Sequence, residues 1–144
     1  RRGDYWGIVL LRPDELPAAV DRQRYLSTIT TVDETGRHET AAQAWRTAVT
    51  RWPTDTVALF GLANAEYGLR NREAAVAGYR ALLGVDAGHV AARNNLAWVL
   101  AEQGRIEEAR KEIAQALQLN DDAELDDELR DTELRIQQMA EETR

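Results

Sequence analysis

The stretch from Asn94 to Leu119, NNLAWVLAEQGRIEEARKEIAQALQL, decides the fold. Apolar residues recur at helical spacing on both sides of Gly104: Leu96, Val99 and Leu100 before it, and Ile106, Ala109, Ile113 and Ala116 after it. The spacing predicts two amphipathic helices joined by a tight turn. A lone helical hairpin cannot bury both its apolar stripes, so such a unit needs neighbours of its own kind. Sliding the sequence by 34 residues supplies them, bringing Leu62 onto Leu96, Ala63 onto Ala97, Ala75 onto Ala109 and Tyr79 onto Ile113. A second shift of the same size places Ala41 on Ala75 and Trp45 on Tyr79. The repeats are therefore 22–55, 56–89 and 90–123, with no insertion between them.

The pattern resembles the tetratricopeptide repeat. In that family a small residue stands eighth (Ala63, Ala97), alanine twentieth (Ala41, Ala75, Ala109), a large apolar residue twenty-fourth (Trp45, Tyr79, Ile113) and proline often thirty-second, as Pro53 does here. Thr28, Ile29 and Arg93 depart from it. The small residues let the two helices of a hairpin approach, and the bulky one fills the space beside their crossing. The resemblance implies an all-α, right-handed superhelical array of three hairpins over 18–123. A last helix over 124–144, with Leu125, Leu129, Ile136 and Met139 on one face, caps the open end of the array.

The first seventeen residues lie outside the repeats. The run Tyr5 to Leu11, YWGIVLL, is apolar and rich in aromatic and β-branched residues, which predicts an extended strand, and Pro13 and Pro17 then mark a linker. A strand of this type followed by a PDELP-like linker and repeats resembles the carboxy-terminal part of bacterial envelope proteins that carry a papain-like peptidase domain of the double-glycine-leader type. That resemblance implies a non-catalytic half that positions substrate or buttresses a domain upstream, in the cell envelope or periplasm, with the cytoplasm left open. It carries no catalytic residue onto this chain. An unpaired strand at 5–11 also offers a route to a homodimer by strand addition.

Composition narrows the function. Cysteine is absent, which removes disulfides, thiolate metal sites and a cysteine nucleophile from these 144 residues. The net charge of -7 disfavours nucleic acid and anionic membranes as partners, and no apolar run approaches a membrane span. His38 and His89 fall at a helix turn and in an inter-repeat loop, without a nucleophile at hand. Asp121, Asp122, Asp126 and Asp127 lack the glycine and spacing of a calcium loop and suit helix capping. No enzymatic activity, metal or cofactor is expected.

Binding is the expected role, because the forward helices of stacked hairpins line a concave groove. In this register the groove-facing positions are Gln23, Leu26, Thr30 and Asp33, then Val57, Phe60, Asn64 and Tyr67, then Ala91, Asn94, Trp98, Ala101 and Glu102. Amides can bond the backbone of an extended peptide while aromatics hold its apolar side chains. The same aromatics would also serve simply to pack adjacent forward helices together. Chaperone-binding members of the family clamp a carboxylate-terminated peptide with lysine and arginine at these places, of which only Asn64 is matched here. The expected partner is therefore a neutral to mildly basic, apolar peptide or a partner domain.

Overall fold

The computed structural model describes the backbone from residue 4 and side chains from residue 7, and these residues form eight α-helices and no strand. They are α1 (Asp4–Val9), α2 (Arg22–Glu34), α3 (His38–Arg51), α4 (Thr56–Gly68), α5 (Arg72–Val85), α6 (Val90–Glu102), α7 (Ile106–Leu119) and α8 (Ala123–Glu142). The chain is all-α. By their contacts these helices fall into two compact units, 1–74 and 75–144.

The helix ends follow from local chemistry. Asp21, Asp55 and Asp122 each accept a backbone N–H in the first turn of the helix they precede, and His89 does the same for α6 through Nδ1, 3.1 Å from Ala92 N. At the turns between forward and returning helices, Gly36, Arg70 and Gly104 adopt φ of 85°, 65° and 77°. All three hold the same place in the 34-residue period, so the left-handed turn is a property of the repeat, and only the second repeat builds it without glycine.

In the first unit, Tyr25, Ile29 and Val32 of α2 meet Ala41, Ala44, Trp45 and Ala48 of α3, all buried. Gly61 of α4 lies beneath Trp45: a β-carbon there would sit within 2.6 Å of the indole. Tyr25 is fully buried, its ring 5.8 Å from that of Trp52, and burial pushes its phenol up to about 12. In the second unit α6, α7 and α8 pack against one another, and Leu96, Val99 and Leu100 of α6, Ala109, Ile113 and Ala116 of α7, and Leu129 and Ile136 of α8 are all buried. The alanines at the eighth and twentieth places, Ala63, Ala97, Ala41, Ala75 and Ala109, are all fully buried, as the packing argument requires.

The expected strand at 5–11 is corrected. The backbone is helical from Asp4 to Val9 and closes with turn bonds from Leu10 N to Gly7 O and Leu11 N to Ile8 O. Strand propensity describes fit to a pleated surface; with no second strand among the described residues, a helix satisfies these backbone groups locally. Val9 and Leu16 are buried in the first unit's core, while the side chains of Tyr5 and Trp6 lie outside the described residues. The following arm is tied to α3, whose Arg51 donates to Ala18 O at 2.9 Å.

Two substitutions test this packing. Gly61→Ala should cost about 1–3 kcal/mol by overpacking against Trp45, outweighing its gain in helix propensity, whereas Gly84→Ala, with open space around it, should stabilise by about 0.5–1 kcal/mol. Urea melts of the two variants check the opposite signs. Arg70→Gly should stabilise by about 1 kcal/mol, by removing a side chain from a left-handed position, and the same melts measure it.

Candidate functional site

In the first unit the forward helices α2 and α4 are joined at their starts by an ion pair, Arg22 Nη1 to Asp55 Oδ2 at 2.6 Å. A shallow cleft of about 490 Å³ opens there, lined by Arg22, Gln23, Leu26, Thr30, Asp55 and Val57. Gln23 and Thr30 are exposed, and the Thr30 hydroxyl donates to Leu26 O. Asp33 is half-buried, 2.8 Å from His38 Nδ1. Leu26 is only 5% exposed, because its side chain belongs to the core between α2 and α3. Along α4, Val57 is 57% exposed and Phe60, Asn64 and Tyr67 are half-buried on one face, at steps of four and three residues.

The opposite side of α4 is anchored. The Glu66 carboxylate, its side chain 8% exposed, accepts from Arg46 Nη2 at 2.5 Å and from Asn71 Nδ2 at 2.8 Å, while Asn71 N–H also donates to Glu66 O. Burial pushes this carboxyl up, but the Asn71 and Arg46 hydrogen bonds and the Arg46 charge together outweigh it and hold Glu66 below its ordinary value. This ties α3, α4 and the turn after α4 into one piece, so the Phe60–Asn64–Tyr67 face sits on a fixed helix.

In the second unit α6 presents Ala91, Trp98 and Glu102 half-buried, while Asn94 and Ala101 are buried, at 6% and 5% exposure. For Asn94 the reason lies in α8. Asn94 Nδ2 donates to Glu128 Oε1 at 3.1 Å, and the Arg135 guanidinium carbon stands 6.0 Å above the Trp98 ring. The last helix thus takes part in the face that α6 was expected to present by itself. Glu128 follows Asn94 by one repeat length, so the 34-residue register held that neighbour relation all along. Leu26, Asn94 and Ala101 are thus the buried members of the expected groove-facing set, and the other positions carry most of its accessible surface.

The remaining candidates for chemistry are occupied structurally. His89 caps α6, Asp122 caps α8, and Asp126 pairs with Arg130 at 2.8 Å. Among the described residues no group of three His, Cys, Asp or Glu side chains is placed to hold a metal ion, and no helix is long and apolar enough to cross a membrane.

Because the Glu66 carboxyl is lowered, the unfolded chain binds its proton more readily than the folded one. Its contribution to stability is therefore complete above the unfolded value near pH 4.5 and is lost as pH falls through the lower folded value. Glu66→Gln should cost about 1–3 kcal/mol at pH 7 and flatten the acid limb of stability, as read by urea melts at stepped pH.

Residues 60–124 match the family model of the tetratricopeptide repeat. The structure is similar to that of SycD, the type III secretion translocator chaperone of Yersinia enterocolitica, with 17% identity, a TM-score of 0.77, and coverage of 83% of this chain and 85% of that one. Its complex with a peptide of the translocator YopD gives 17% identity and a TM-score of 0.75, over 80% of this chain and 91% of that one. The first TPR of Spaghetti (RPAP3), bound to the HSP90 peptide SRMEEVD, gives 18% and 0.69, over 83% and 98%. No curated protein matches the sequence significantly. Residues 60–124 thus match the tetratricopeptide-repeat model, and the all-helical fold of the described residues is similar to that of these solved structures.

Proposed function

We propose that this chain is a non-catalytic protein-interaction module that holds an extended peptide, or a segment of a partner domain, against the exposed faces of its forward helices. The observation that carries the reading is the α4 face, where Asn64 stands between Phe60 and Tyr67 on a helix fixed from behind by Glu66. An amide flanked by aromatic rings serves backbone hydrogen bonding and apolar contact together. The complexes of SycD with a YopD peptide and of the RPAP3 repeat with an HSP90 peptide support peptide binding as a use of this fold.

Charge separates this chain from the second of these. The peptide SRMEEVD carries three carboxylate side chains, whereas the α6 face carries Glu102 and meets Glu128. An acidic ligand would be repelled, so the partner is neutral or mildly basic and apolar. Self-association by strand addition loses its basis, since 5–11 forms no strand and Val9 is buried in the first unit. The peptidase-half reading drew on the same strand and is weakened with it.

Peptides selected from a displayed random library on the whole chain should lose about tenfold or more in affinity for the Phe60→Ala/Asn64→Ala double variant, with helical circular dichroism unchanged. Unchanged affinity would overturn the assignment of the α4 face.

A further inference from the structure

The contact between α6 and α8 is chemically lopsided. Asn94 is buried, and its amide nitrogen is satisfied by Glu128, but its Oδ1 has no hydrogen-bond partner. A buried acceptor left in that state favours a donor being brought to it. Next to it stands a carboxylate on an exposed residue, Glu128, and one helical turn along α6 is the indole of Trp98. Two acceptors beside an aromatic face are what a guanidinium fits: it carries five N–H donors in a plane, accepts nothing, and stacks on indole. The chain already shows the preference, since Arg135 lies over Trp98. Yet Arg135 is a partial occupant. Its Nε is committed to Asp131 Oδ2 at 3.1 Å, its side chain is 58% exposed, and it bonds neither Asn94 nor Glu128.

We propose that Asn94, Glu128 and Trp98 form a recognition site for an arginine side chain of a bound peptide, with Arg135 as the internal guanidinium that the ligand displaces. The inference rests on the reading of the forward helices as peptide-binding and names the side chain that α6 selects. The surroundings favour that charge: between Ala123 and Glu142 there are eight carboxylates and two arginines, so an incoming cation meets an attractive field. Arginine is selected over lysine because an ammonium can neither stack on the indole nor span both acceptors in one plane.

The test uses the full chain and three blocked nonapeptides, identical except for arginine, lysine or citrulline at two positions, titrated by nuclear magnetic resonance. The arginine peptide should bind saturably and shift both the Trp98 indole N–H and the Asn94 side-chain amide. Citrulline should weaken binding about tenfold and lysine about threefold. Glu128→Gln should weaken the arginine peptide about tenfold, and Arg135→Gln, which removes the competitor, should strengthen it about threefold. Equal binding of citrulline overturns the proposal. So does equal binding of lysine and arginine that vanishes in high salt, which would be attraction to the acidic helix alone, and so does Arg135→Gln without gain. The broader reading is separable: library-selected peptides that depend on Phe60 and Asn64 but never on Glu128 would sink the arginine site and leave the module standing.

Discussion

The α3–α4 crossing leaves no room for a β-carbon at Gly61, and much of the first unit depends on that one absence. Trp45 is the largest side chain of α3, and it stays 97% buried only because α4 offers it a bare stretch of backbone. Once the indole is seated, α4 lies at a fixed height, its buried alanines Ala58 and Ala65 join the core, and Glu66 comes within reach of Arg46. Within the α6–α7 hairpin of the second unit, the small residues are the fully buried Ala97 and Ala109. Helix interfaces of this kind are fixed by the small residues, since a large apolar residue can be replaced by another of similar volume whereas a missing side chain cannot be imitated.

Polar residues then fix what apolar packing leaves loose. Arg93 is the instructive case, because it fills a position where the repeat pattern favours a large apolar residue. Its guanidinium, only 13% exposed at the side chain, donates twice to Ala87 O and also to Glu112 and Gln115. The stem packs as an apolar residue would, and the head pins the loop before α6 to α7. A similar logic holds Arg51 on the arm before α2. Both tie loops whose backbone groups would otherwise be left to water.

Where the sequence was legible, a repeated local cause was at work. The 34-residue period laid out the three hairpins of α2 to α7, because helical spacing acts over one turn and the same pattern is seen three times. The segment at Tyr5 to Leu11 failed for the opposite reason: it occurs once, and its strand propensity had no pleated neighbour to fit. The forward-helix positions were legible as a face but not as a surface. Leu26 and Ala101 share that face with exposed neighbours and are still buried, since accessibility depends on what packs alongside and not on helical phase. Gly61 was silent because a missing side chain leaves no mark in a hydrophobic pattern.

Charge is also unevenly distributed along the chain, in a way that bears on partner choice. Residues 1–74 hold ten arginines and ten carboxylates, whereas 75–144 hold eight cations against fifteen carboxylates, so the whole net charge belongs to the second unit. Local ion pairs such as Arg130–Asp126 and Arg135–Asp131 neutralise only part of it, and exposed pairs of this type add little stability. The excess is therefore better understood through what it attracts and repels than through what it holds together. Beside the neutral first unit, where half-buried aromatics and an amide line one face of α4, a partner would meet shape and apolar contact. Beside α8 it would meet a field that rejects carboxylates and draws in cations. A terminal helix whose buried side is apolar and whose open side is acidic thus does two things with one sequence: it closes the core of the second unit and gives that unit most of its excess negative charge.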